Sequence, residues 1–166
     1  MNGRAPEIQA YWAAFTAATG VVDPDYDAIA FGHGAEMADW MCRDVLAGIK
    51  RATCMPVRDH VVKGLQRPII GGHVVLLDGS GRPRGVWRTT EVREGPLNSV
   101  DDAFAWDEGE GDRSRATWLA NHLGYFAEQA AREGWEMRDD LPCYFERFTI
   151  IWPPEMADPP QSRRIG

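Results

Sequence analysis

The segment CYFERFTIIW, residues 143–152, alternates so regularly that it leaves the chain few choices. Tyr144, Glu146, Phe148, Ile150 and Trp152 fall on one side of an extended strand, and such a strand must be paired and covered. Partners lie upstream in GGHVVLLDGSGRPRGVWRTTEV. There Val74–Leu77 and Val86–Val92 read as strands joined at Gly79-Ser80-Gly81. The two glycines suit a tight turn, and the G-x-S-x-G elbow of a serine nucleophile is absent. A sheet is therefore required.

Helical spacing flanks these strands. Ile8, Tyr11, Trp12 and Phe15 follow i, i+3, i+4, i+7, opened by Pro6 and closed by Gly20. A second helix is predicted over Glu36–Ala47, with Met37, Trp40, Met41 and Val45 inward and Gly48 as its stop. A third runs over Ser114–Glu133 on the stripe Trp118, Leu119, His122, Phe126 and Ala130, ending at Gly134. The order of helices, strands, helix and strand predicts an α+β domain with a small mixed or antiparallel barrel.

The 166 residues suit one domain with a helical extension. A formal net charge of -7 argues against a protein that coats long nucleic acid, while leaving room for a local basic cleft. Cys42, Cys54 and Cys143 form no CxxC pair, so neither a disulfide framework nor structural zinc is expected. The segment MNGRAPEIQAYW lacks an apolar signal core, and no apolar run reaches membrane-spanning length. A cytoplasmic protein is the expectation. PPEMADPPQSRRIG, with four prolines and no periodicity, predicts a disordered tail over 154–166.

Two short stretches carry chemistry. In DEGEGDRSRATW, residues 107–118, acids alternate with glycines ahead of a helix. A calcium loop starting at Asp107 would need an acid at its twelfth position, where Trp118 stands. A dinucleotide fingerprint fails for want of a third glycine and a preceding strand. What stays open is Mg²⁺ or Mn²⁺ held loosely by Glu108, Glu110 or Asp112, beside the plainer reading that Asp112 or Ser114 caps the helix. In AGIKRATC, residues 47–54, Lys50 and Arg51 suit a helix C-terminus. Lys50 and Thr53, three apart, converge only if the chain bends before a strand begins. The histidines 33, 60, 73 and 122 show no metal-ligand spacing, and His122 reads as a hydrogen-bonded core residue. Trp106 is the tryptophan placed to stack a base.

Taken in order, FGHGAEMADWMCRDVLAGIKRATC, GGHVVLLDGSGRPRGVWRTTEV, FAWDEGEGDRSRATWLANH and PCYFERFTIIW resemble the ASCH domain family, in its longer bacterial branch. The resemblance covers Phe31 to Trp152. It implies a PUA-like β-barrel flanked by helices over residues 28–153, a cleft between them, and an association with single-stranded RNA or modified nucleosides. Residues 1–27, a helix and connector, fall outside. Relatives include enzymes that cleave single-stranded RNA and amidohydrolases that deacylate acetylated cytidine with a Lys, a Thr and a Glu. Carried over, these are Lys50, Thr53 and Glu108 as catalytic residues, with Glu110 as the alternative acid.

Arg51, Trp106, Glu110, Arg113 and Ser114 are then the candidate substrate contacts. Arg113 would pin the acidic loop through a carboxylate or meet a substrate phosphate. A charged Lys50 would stabilise an oxyanion or phosphorane oxygen while Glu108 moves a proton. Cleavage of single-stranded RNA is the leading expectation, nucleoside deacylation the second and non-catalytic binding the third. An ammonium in a cleft contributes little to packing, so Lys50→Ala is expected to leave stability nearly intact.

Overall fold

The computed structural model describes residues 4–23 and 25–159. Among them are five helices: α1 (Pro6–Thr19), α2 (Ala35–Leu46), α3 (Val57–Lys63), α4 (Asp102–Glu108) and α5 (Arg115–Glu133). The five strands are β1 (Asp27–Ile29), β2 (Ala52–Pro56), β3 (His73–Leu77), β4 (Pro83–Pro96) and β5 (Pro142–Trp152). They form one sheet in the order β1-β3-β4-β5-β2. β1 runs parallel to β3, while β3 pairs antiparallel with β4 and β2 with β5. The expected α+β class holds, and the three expected strands lie side by side. The described residues form two compact units: those within 1–42, 73–88 and 149–166 make the first, and 43–72 with 89–148 the second.

In the first unit, Pro6 opens α1 and the left-handed Gly20 closes it, its N–H donating to the Thr16 carbonyl. Ile8, Trp12 and Phe15 are buried against Tyr26, Val75 and Val86. The Trp12 ring stacks on Tyr26 at 4.0 Å, so α1 contributes to the core of this unit. His73 on β3 pairs with Asp23 at 2.8 Å.

The expected tail divides. Asp158 Oδ2 accepts from Thr149 Oγ1 and from the Ile150 amide, both at 2.9 Å. The Asp158 amide donates to the Ile150 carbonyl at 2.8 Å, which ties Asp158 to β5. A short polar side chain that caps a strand's free edge explains what composition could not show. The remaining tail, 160–166, lies outside the described residues. Asp158→Ala should lower stability by about 1–2 kcal/mol, the usual worth of such bonds. Thermal unfolding checks this, with a fall of roughly 2–8 °C expected for a chain of this size.

In the second unit, Ala52, Cys54, Leu97, Val100, Phe104, Trp118, Phe126, Cys143 and Phe145 share one core. Full burial of each large side chain contributes about 1.5–3 kcal/mol. β2 alternates, with Ala52, Cys54 and Pro56 buried and Thr53 and Met55 half-buried. β5 departs from its sequence reading. Cys143, Phe145 and Thr149 are buried as well as Tyr144, Glu146, Phe148 and Ile150, and on one face Cys143 and Phe145 pack with Phe104, Trp118 and Phe126 of α4 and α5. β2 is an edge strand, and α4 covers its open side: the Arg51 amide donates to the Asp107 carbonyl at 2.7 Å. Asp101 caps α4 by accepting from the Phe104 amide at 2.8 Å. Among the described residues no helix is long and apolar enough to cross a membrane.

Candidate functional site

Lys50, Glu108 and Glu110 come together in the second unit. Lys50 Nζ lies 3.3 Å from Glu108 Oε1 and 3.6 Å from Glu110 Oε1. The Lys50 and Glu108 side chains are each 2% exposed, and that of Glu110 is 14% exposed. A buried ammonium thus lies against one fully buried carboxylate and a second that is slightly exposed.

Local structure explains the convergence. Lys50 follows the end of α2, where its amide and that of Ile49 donate to the Asp44 carbonyl before β2 begins. Glu108 is the last residue of α4, not part of a flexible acidic loop. Gly109 caps that helix at φ +77°, and a side chain there would stand 2.6 Å from the Ile49 carbonyl oxygen. Its glycine is therefore required twice, by conformation and by the approach of the Ile49–Lys50 peptide. The chain then turns so that Glu110 meets Lys50 from a second direction.

Glu108 is saturated. Its Oε1 accepts from Lys50 and from the Cys54 amide at 3.2 Å, an edge-strand N–H that would otherwise be unpaired. Its Oε2 accepts from the Trp118 indole N–H. His122 Nε2 lies 3.6 Å from Oε1, and Nδ1 is 2.9 Å from the Trp118 carbonyl, which can only accept. The His122 and Trp118 rings stack at 3.7 Å. The sequence signal for these two was available: a Trp and a His, i and i+4 on an inward stripe, carry N–H groups that need buried acceptors.

The two carboxyls are driven apart. Burial alone would raise the Glu108 pKa, but the Lys50 charge, then His122 and the Trp118 hydrogen bond outweigh it and lower it to about 2. Burial raises that of Glu110, and the neighbouring Glu108 charge adds to burial against the pull of Lys50. Burial would lower His122, yet the Glu108 carboxylate beside it prevails and raises it. Glu108 is thus a fixed anion, whereas Glu110 is the group poised to exchange a proton.

Other expected site residues fall elsewhere. Thr53 stands one residue before the Cys54 amide, with its side chain on the other face of β2 from Ala52 and Cys54. Its register partner there is Glu146, which accepts from Thr89 Oγ1 at 2.5 Å. Arg51 Nη1 donates to the Val45 and Lys50 carbonyls at 2.7 and 2.8 Å. Arg113 pins the turn through carbonyls, not through a carboxylate: its guanidinium donates to the Trp106 carbonyl at 2.9 Å and the Ile49 carbonyl at 2.7 Å. Ser114 caps α5, accepting from the Thr117 amide at 3.2 Å, and Asp112 accepts from the Ser114 amide. Trp106 lies 57% exposed beside the cluster, under the Arg113 guanidinium.

Glu108, Glu110 and His122 offer ligand atoms within 4.8 Å of one another. The donor set does not suit a divalent ion, because Lys50 Nζ already supplies the cation between the two carboxylates. Asp112, the third acid considered, is committed to capping.

The ASCH domain family matches residues 27–152. A crystal structure of an ASCH domain from Lactobacillus crispatus JV V101 is similar, with a TM-score of 0.77 and 26% identity over 90% of this chain and 97% of that one. So is an Enterococcus faecalis V583 protein described under DUF984, with a TM-score of 0.78 and 26% identity over 87% and 88%. No curated protein matches. With its fold, its match over residues 27–152 and these structural neighbours in agreement, the chain belongs to the ASCH domain family, an RNA-associated family with a PUA-like α+β fold.

Proposed function

We propose that the Lys50–Glu108–Glu110 cluster hydrolyses an acyl group carried on an uncharged nucleoside, such as acetylated cytidine. The observation that carries this reading is the division of labour between two carboxylates around one buried ammonium. Glu110, the slightly exposed one, takes a proton from water as it attacks the acyl carbonyl and returns it to the departing amine nitrogen. The C–N bond breaks, and a carboxylic acid and a free amine result. Lys50, behind Glu110, favours negative charge on the carbonyl oxygen because little water screens it. Glu108 holds Lys50 in place. We assign water as the nucleophile; Thr53, whose register partner is Glu146, stands one residue before the Cys54 amide that donates to Glu108.

Cleavage of single-stranded RNA, the leading expectation from sequence, fits less well. A phosphorane needs cations turned toward it. A phosphodiester arrives already charged at an ammonium shared by two carboxylates, whereas an acyl group arrives neutral, and the Arg51 and Arg113 guanidiniums donate to carbonyls. The family's association with RNA still favours it as the second reading. Incubation with acetylated cytidine and with single-stranded RNA in parallel separates the two. Release of cytidine with intact RNA is the expected result. Shortened RNA with untouched acetylcytidine overturns the proposal.

A further inference from the structure

Trp106 is an unusual residue to leave outside. It lies on α4 with 57% of its surface exposed, while Phe104 on the same helix is 3% exposed. Isolated exposed aromatics are common on protein surfaces and by themselves mean little. Here the neighbours add information. The Arg113 guanidinium carbon stands 4.5 Å from the Trp106 ring centroid, a cation over an aromatic face. Carboxylates are close in sequence at Asp107, Glu110 and Asp112, yet the Arg113 donors go instead to the Trp106 and Ile49 carbonyls.

Arg113 is also the one non-glycine residue with positive φ among the described residues, at +62°. Such a conformation persists where surrounding bonds over-determine it, and it gathers at functional sites. The bonds are present: besides the two guanidinium contacts, the Arg113 amide donates to the Glu110 carbonyl at 2.9 Å. One turn therefore fixes the guanidinium, the indole and the backbone of Glu110 together. Ile49, the residue before Lys50, is 40% exposed and joined to the same guanidinium through its carbonyl.

We infer that Trp106 and Arg113 form a stacking platform for the base of the substrate nucleoside, and that this platform sets where the acyl group lies relative to Glu110. Indole and guanidinium are both flat and both stack on heteroaromatic rings. The turn that carries the platform is acidic at Asp107, Glu110 and Asp112, which disfavours a phosphate. The occupant is thus an uncharged base. The inference rests on the proposed hydrolysis for the role of Glu110, but base binding itself is measured without turnover.

The test titrates cytidine, which has no acyl group to lose, into the protein while intrinsic tryptophan fluorescence and calorimetric heat are read. Stacking on a tryptophan should quench part of the emission. The quench should vanish in Trp106→Phe and persist in Trp40→Phe, another exposed indole at 41%. Trp106→Ala should weaken cytidine binding by roughly 5- to 150-fold, the equivalent of one stacked base, with an unchanged melting temperature. In turnover, Trp106→Ala should raise KM far more than it lowers kcat. Equal cytidine affinity in wild type and Trp106→Ala overturns the inference, as does no cytidine binding by the wild type. A change in sedimentation with Trp106→Ala also overturns it, since the indole would then be covered by a second copy. Cytidine binding that depends on Trp106, with acetylcytidine never hydrolysed, leaves the platform standing and removes the proposed reaction.

Discussion

Lys50→Ala is expected to melt well below the wild-type protein, against the sequence expectation that its loss would scarcely matter. The ammonium is 2% exposed and lies between Glu108 and Glu110. Removing it leaves one carboxylate fully buried and another mostly so, without their shared counter-ion. Breaking a buried pair in this way costs about 3–5 kcal/mol, or roughly 6–20 °C for a chain of this length. Pairing Lys50→Met with Glu108→Gln should recover part of the loss, since it removes the deeper of the two orphaned charges. Thermal unfolding at neutral pH of wild type, single and double variants checks both statements.

The acid limb of the stability profile follows from the same pair. Glu108 has a folded pKa of about 2, below its ordinary value of 4.5. Its contribution is present above pH 4.5 and is lost as pH falls through about 2. His122, raised from 6.5, has the opposite sign: its contribution is full below that value and fades as pH rises through the raised folded value. Lys50→Ala should flatten the acid limb, because the Lys50 charge is what overcomes the burial of Glu108.

The periodic elements were legible. Apolar spacing gives α1, α2 and α5 within a residue or two, although α2 buries Ala38, Cys42 and Val45 and leaves the expected inward Trp40 41% exposed, and alternation gives β3, β4 and β5. α4 was not legible. It has seven residues, its Trp106 faces solvent, and its last residue is an acid next to glycine, so Asp107–Gly111 reads as a loop. β1, three residues long, falls below any periodic signal. The residue types of the site were readable, but their roles were not. Glu108 and Glu110 are the same amino acid two positions apart. Only the reversal of the chain at Gly109 buries one against Cys54, Trp118 and His122 and leaves the other slightly exposed. Likewise Lys50 has the sequence context of an ordinary cation after a helix, and burial is a property of the fold around it.

Glu110→Gln is the other change with a large expected effect. The isosteric amide keeps the shape of the side chain but moves no proton, so turnover of acetylcytidine should fall by about 10²–10⁴-fold, the usual share of general acid–base catalysis. Stability should hold or rise slightly, because Glu110 is mostly buried beside the Glu108 charge, which opposes its ionisation. Glu108→Gln should behave in the reverse order. It strips Lys50 of its deeper partner and should lower the melting temperature first, with activity falling as a consequence. The contrast between two chemically identical substitutions removes any general effect of losing an acid.

The pH dependence of kcat/KM for acetylcytidine, measured for wild type and Glu110→Gln, addresses the division between the two carboxyls most directly. The wild type should show an inflection above the ordinary glutamate value of 4.5, and Glu110→Gln should lose that inflection together with most of the rate. A profile unchanged by Glu110→Gln, at an unchanged rate, would contradict the assignment of Glu110 as the proton-transferring group.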